Sequence, residues 1–164
     1  IFFSFICLLL VLNALYSILK YVIICVLSEY YLTREEPDMY QVIIVDDEPR
    51  ILEGIIHLFP WNNFGFEVVA SFTNGKEALE YINAHPQVDV VMTDIQMPVM
   101  NGYEAAQAIR SSTHPQSATI PIIAMTANAF AEDIKNALSA GMNAHIAKPI
   151  DPQKLYETLA AYIK

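Results

Sequence analysis

From residue 42 onward, short apolar runs alternate with stretches whose apolar residues recur at helical spacing, and this alternation constrains the fold more than any other feature. The runs are Val42–Val45, Phe66–Phe72, Val88–Met92, Ile120–Met125 and Ala144–Ala147. Most are continuous and rich in β-branched residues, as expected of strands covered on both faces. Between them, Ile51, Leu52, Ile55, Ile56 and Phe59 mark a helix with Pro49 in its first turn. Ala78, Leu79 and Ile82 mark a second helix that opens at Asn74–Gly75, and Gly102–Ile109 a third, closed by the polar loop 111–119. Phe130, Ile134, Ala137 and Leu138 mark a fourth, ended by Gly141, and Leu155, Leu159 and Ile163 a fifth. Five βα units built this way predict an α/β domain with a parallel sheet covered on both faces. Right-handed crossovers make it doubly wound.

The first 32 residues belong to none of this. IFFSFICLLLVLNALYSILKYVIICVLSEYYL is almost free of charge and holds both cysteines, Cys7 and Cys25. Two readings stay open. One is a transmembrane helix, since about 20 apolar residues span a bilayer, with contact to the membrane only through residues 1–27 and the rest of the chain in the cytoplasm. The other is translation of AT-rich DNA upstream of Met39, because the stretch has no glycine and a single alanine. Residues 33–38 (TREEPD) form a polar linker, and residues 39–164 the domain.

Of nine basic and eighteen acidic groups, two and four fall in residues 1–38, which leaves seven and fourteen for the domain. An excess of acid with no basic stripe argues against direct nucleic-acid binding. Without cysteine, the domain needs no disulfide and suits a reducing compartment.

Ligands of doubly wound sheets bind beyond the carboxyl ends of the strands, near the switch in strand order. Strand one runs into Asp46–Asp47, strand three into Asp94, strand four into Thr126 and strand five into Lys148. Taken singly, each has a plain explanation as a capping acid, a loop aspartate, a turn threonine or a solvated lysine. Together they put three carboxylates, a hydroxyl and an ammonium on one rim. Carboxylates ~4–5 Å apart repel by a few kcal/mol per pair at an effective dielectric of about 20. Such a set calls for a hard cation, Mg²⁺ before Ca²⁺. A phosphoryl group brought to Asp94 would meet cation, ammonium and hydroxyl, with Asp94 as the nucleophile.

IIVDDEP (Ile43–Pro49), VVMTDIQMPVMNG (Val90–Gly102), IPIIAMTA (Ile120–Ala127) and IAKP (Ile146–Pro149) together resemble the receiver domains of bacterial response regulators. The resemblance implies a flavodoxin-like sheet in the order 2-1-3-4-5. It also implies Asp94 as phosphoacceptor, Asp47 as a direct Mg²⁺ ligand, Asp46 holding a metal-bound water and Gln96 offering its backbone carbonyl to the metal. Thr126 becomes the switch hydroxyl, Lys148 the partner of the phosphoryl group, and Lys148–Pro149 a cis bond. The switch residue three positions before the lysine, usually Tyr or Phe in this family, is His145 here. The implied partners are a histidine kinase or phosphotransfer protein, with a receiver homodimer as a further assembly. The implied activity is confined to the domain's own phosphorylation and dephosphorylation. The first half resembles receivers attached to AraC-like DNA-binding domains, and the second half those of hybrid sensor kinases. Two rivals remain, a phosphorylation-independent pseudo-receiver and a Mg²⁺-dependent phosphohydrolase with an aspartyl intermediate. The second would place an Asp two residues beyond the nucleophile, where this chain has Gln96.

Overall fold

The computed structural model describes Tyr16 and residues 19–23, 39–127 and 130–163. It divides into two compact units, Ile1–Asp38 and Met39–Lys164. The described residues of the first unit are α-helical. Among the described residues no helix is long and apolar enough to cross a membrane. The rest of the stretch 1–38, on which the membrane-helix reading depends, lies outside them.

In the second unit five strands and five α-helices alternate: β1 (Tyr40–Val45), α1 (Pro49–Leu58), β2 (Phe66–Phe72), α2 (Gly75–Ala84), β3 (Val90–Asp94), α3 (Gly102–Arg110), β4 (Ile122–Thr126), α4 (Ala131–Ser139), β5 (Ala144–Ala147) and α5 (Pro152–Tyr162). The sheet runs β2-β1-β3-β4-β5 with every neighbour parallel. The flavodoxin-like, doubly wound expectation is therefore met.

The period of two along each strand splits the interior into two cores. Ile43 and Val45 of β1 and Ile122 and Ala124 of β4 join Ile82, Ala106, Ile109 and Ala137 on the face covered by α2, α3 and α4. Val42, Ile44, Met92 and Ile123 join Leu52, Ile55, Leu155 and Leu159 on the face covered by α1 and α5. Central strands such as β3 and β4 are buried at every residue, because both their faces are covered, and so they read as unbroken apolar runs.

Sequence and structure differ at several element ends. Val88 is buried but precedes β3, which begins at Val90 and reaches Asp94. Pro121 keeps β4 from starting at Ile120, since proline cannot donate to the ladder. In α4, Leu138 is 57% exposed and Phe130, the N-cap residue, is 66% exposed, so Ala137 carries the inward face. Ile163 caps α5 in extended backbone rather than continuing it. A 3₁₀ turn at Trp61–Phe64 has no periodicity to announce it; the buried Trp61 indole donates to the carbonyl of Ile55 at 3.1 Å.

Two backbone features set the loop between β3 and α3. A Cβ on Gly102 would lie 2.3 Å from the carbonyl oxygen of Asp94, so only glycine lets α3 start against the end of β3. Val99 has φ of 68°, a left-handed conformation that costs a β-branched residue about 1–2 kcal/mol. Gly102→Ala should therefore lower stability by about 1–3 kcal/mol, and Val99→Gly should raise it by about 1 kcal/mol. Both are read from urea midpoints at unchanged slope.

Candidate functional site

The connections leave β1 in one direction along the sheet and return to β3 on its other side, so the strand order switches between these neighbours. The carboxyl ends of β1 and β3 meet there. Asp46 and Asp47 follow the last residue of β1, and Asp94 is the last residue of β3. Their carboxylates can offer oxygens within 4.8 Å of one another. Asp46 is fully buried and Asp94 is 8% exposed, whereas Asp47 faces solvent.

Lys148, just past β5, reaches across to this cluster. Its Nζ lies 2.6 Å from Asp46 Oδ2 and 3.0 Å from Asp94 Oδ1. The contact with Asp46 Oδ2 is an ion pair to a fully buried carboxylate, while Asp46 Oδ1 accepts the Glu48 backbone N–H at 3.0 Å. The lysine backbone is itself fixed, since its N–H donates to the carbonyl of Thr126 at 2.7 Å. The Lys148–Pro149 peptide bond is cis.

Asp94, Gln96, Thr126 and Lys148 line one cavity of about 390 Å³, together with Asp47 and Asp133. The structure thus gathers six of the sequence-derived residues, counting Asp46 beneath the lysine. His145 stands apart. It pairs with Ala124 across β4 and β5 and lines a separate cleft of about 420 Å³ between α4 and α5. Its sheet face is nevertheless the one that carries Thr126, because Thr126 pairs with Ala147 two residues further along β5.

Asp133 escaped the sequence reading. It belongs to the first turn of α4, and a short β4–α4 connection brings that turn to the rim where Thr126 ends its strand. The signal was the brevity of that connection rather than any motif.

Charge in the cavity is unbalanced. Burial raises the Asp94 carboxyl above its usual range, and the charge of Asp46 adds to this; the Lys148 hydrogen bond and charge pull it back only in part. Burial alone would depress the Lys148 ammonium, but Asp46 and Asp94 outweigh that and hold it above its ordinary value. The three clustered carboxylates against one ammonium leave two negative charges, to which Glu48 and Asp133 on the cavity wall add, and Asp46, Asp47 and Asp94 supply only oxygen donors. That donor set fits a hard divalent cation.

Residues 42–160 match the response regulator receiver domain. The chain belongs to that family. This receiver is 34% identical over 122 residues to the chemotaxis protein CheY1 of Helicobacter pylori, covering 73% of this chain and 93% of that protein. It is 31% identical over 133 residues to the sensor histidine kinase RcsC of Salmonella typhi. That match takes in 79% of this chain but 13% of the kinase. In structure it resembles the receiver domain of sensor histidine kinase PA1611 from Pseudomonas aeruginosa, solved with a magnesium ion coordinated in the active site cleft. The TM-score is 0.64 at 29% identity, over 76% of this chain and 97% of that one.

Two stability outcomes follow. A carboxyl whose pKa is raised on folding favours the fold at pH below its unfolded pKa, and that support is lost as pH rises through the folded value. Asp94→Asn without divalent cations should therefore melt higher than wild type at pH 7, with the gap closing toward pH 3, by circular dichroism. Lys148→Met leaves the buried Asp46 uncompensated and should lower stability by about 3 kcal/mol in urea titrations at pH 7.

Proposed function

We propose that this receiver takes a phosphoryl group onto Asp94 from the phosphohistidine of a histidine kinase or phosphotransfer protein. The carrying observation is the placement of a buried, ammonium-paired carboxylate at the floor of an open cavity, with Asp46 and Asp47 beside it. An Asp94 carboxylate oxygen attacks phosphorus, the bond to the histidine nitrogen breaks, and the imidazole keeps that electron pair.

Asp47 and Asp94 would hold Mg²⁺ directly, with the Gln96 carbonyl as a further ligand and Asp46 oriented toward a metal-bound water. When bound, the ion supplies positive charge to neutralise the phosphoryl oxygens as the bond forms. Lys148, already 3.0 Å from Asp94 Oδ1, supplies a second positive charge from the β5 side. Thr126 ends β4 in the same cavity, where its hydroxyl can donate to a phosphoryl oxygen.

Loading then biases a two-state element. Thr126 shares its sheet face with His145, and the positions between them on that face, Ala124 and Ala147, are small. Movement of the hydroxyl toward the phosphoryl group leaves room into which the His145 ring can follow. The surface of α4, β5 and α5 changes shape and with it its affinity for a partner, a second receiver included. On this reading the domain turns over nothing but its own phosphoryl group.

The test is intact mass of the 39–164 unit, which holds every residue of both cores, after acetyl phosphate with Mg²⁺. A gain of one phosphoryl group is expected, absent in Asp94→Asn and in EDTA. No gain under any condition would leave only the pseudo-receiver, and steady phosphate release without a lasting adduct would favour the phosphohydrolase.

A further inference from the structure

The two sides of the cavity differ in chemistry. The side formed by the end of β1 carries Asp47 and Glu48, next to the buried Asp46. The side formed by β4 and α4 carries Thr126, Ala127 and Asp133. Asp133 is half-buried and also borders a neighbouring cleft of about 340 Å³ lined by Asn101 and Tyr103. Ile95, Gln96 and Asp133 are the residues common to both spaces. Gln96 and Asp133 therefore stand where the two spaces adjoin.

The Tyr103 hydroxyl lies 3.5 Å from the Asp133 carbonyl oxygen, to which it donates. Burial raises the Tyr103 phenol, and the Asp133 charge raises it further, so that charge lies near the ring. Among the described residues, both ion pairs of the cavity belong to Lys148 with Asp46 and Asp94, and neither includes Asp133.

An anion lining the cavity opposes the arrival of a phosphoryl group by simple repulsion. A role in the opposite step is consistent with its position. Hydrolysis of an aspartyl phosphate requires a water whose proton must go somewhere. Gln96 can orient that water but cannot take its proton, whereas a carboxylate can do both.

Resting on the reading of Asp94 as phosphoacceptor, we propose that Asp133 positions the water that hydrolyses the aspartyl phosphate and accepts its proton. The water oxygen bonds to phosphorus as the bond from phosphorus to the Asp94 oxygen breaks. The electron pair of that bond returns to Asp94 as carboxylate, the water proton passes to Asp133 and on to solvent, and inorganic phosphate leaves. Asp133 thereby sets how long the switch stays on.

The experiment uses the 39–164 unit loaded with acetyl phosphate and Mg²⁺, freed of donor, and followed by intact mass as wild type, Asp133→Asn and Asp133→Glu. Asn should slow loss of the phosphoryl group by about tenfold or more, the lower end of what a positioned base contributes. Glu should recover most of the rate. The rate in H₂O relative to D₂O should exceed one for wild type and fall toward one for Asn, a signature that a role in helix stability alone would not move. Wild type that loads normally, with Asn decaying at the same rate or faster, would overturn the role of Asp133 and leave Asp94 standing. Wild type that never loads would overturn both.

Discussion

A single ammonium holds the working end of this domain together. Asp46 has no exposed surface and stands directly after an apolar strand, where an unpaired carboxylate would be prohibitively costly. Lys148 resolves this by lying between Asp46 and Asp94 while its backbone hydrogen-bonds to the end of β4. One side chain thus ties the ends of β1, β3 and β5 into a common frame, and one backbone bond adds β4. Since the lysine neutralises one of three carboxylates, the frame keeps a deficit of positive charge at its open side. Stability and chemistry here share one cause: the arrangement that makes Asp46 tolerable also leaves Asp94 reactive and the rim short of cations.

On the proposed reading, the doubly wound sheet carries that local charge problem to the surface. Each face of the sheet has its own core, and a packed core responds to a shift by adopting a discrete alternative rather than by yielding smoothly. Thr126 and His145 lie on the same face with alanines at the positions between. His145 lines a cleft whose other titratable lining residue is Tyr162.

The sequence made the architecture legible because the domain's physics is repetitive. Central strands buried on both faces read as apolar runs, and three such strands with two half-buried edge strands and five amphipathic helices admit few topologies. Asp46, Asp47, Asp94, Thr126 and Lys148 were legible because they sit at the ends of four strands, where topology alone brings them to one rim. Asp133 lay outside this logic. It reaches the cavity from the first turn of a helix, and an acidic residue there is equally well explained by the positive end of the helix dipole. The outward turn of Leu138 was hidden as well, because helical spacing identifies a stripe without saying how wide it is; α4 buries Ala137 alone of its residues. The apolar stretch 1–32 shows the limit of composition: its character is plain, but its place falls almost wholly outside the described residues.

A carboxylate at the mouth of a phosphoryl cavity acts on both arms of a signal. Its charge opposes the approach of an anionic donor, and a base in the same place hastens the return of Asp94 to its free state. Both effects lower the fraction loaded at a given supply of donor, so a receiver built this way follows that supply closely instead of storing the signal. The two arms separate physically, however. Repulsion of the donor acts through space and weakens with ionic strength, whereas proton transfer to a positioned carboxylate depends on contact and is insensitive to it. Salt should therefore quicken loading and leave decay nearly unchanged, and the steady level of phosphorylated receiver rises with ionic strength through the loading arm alone.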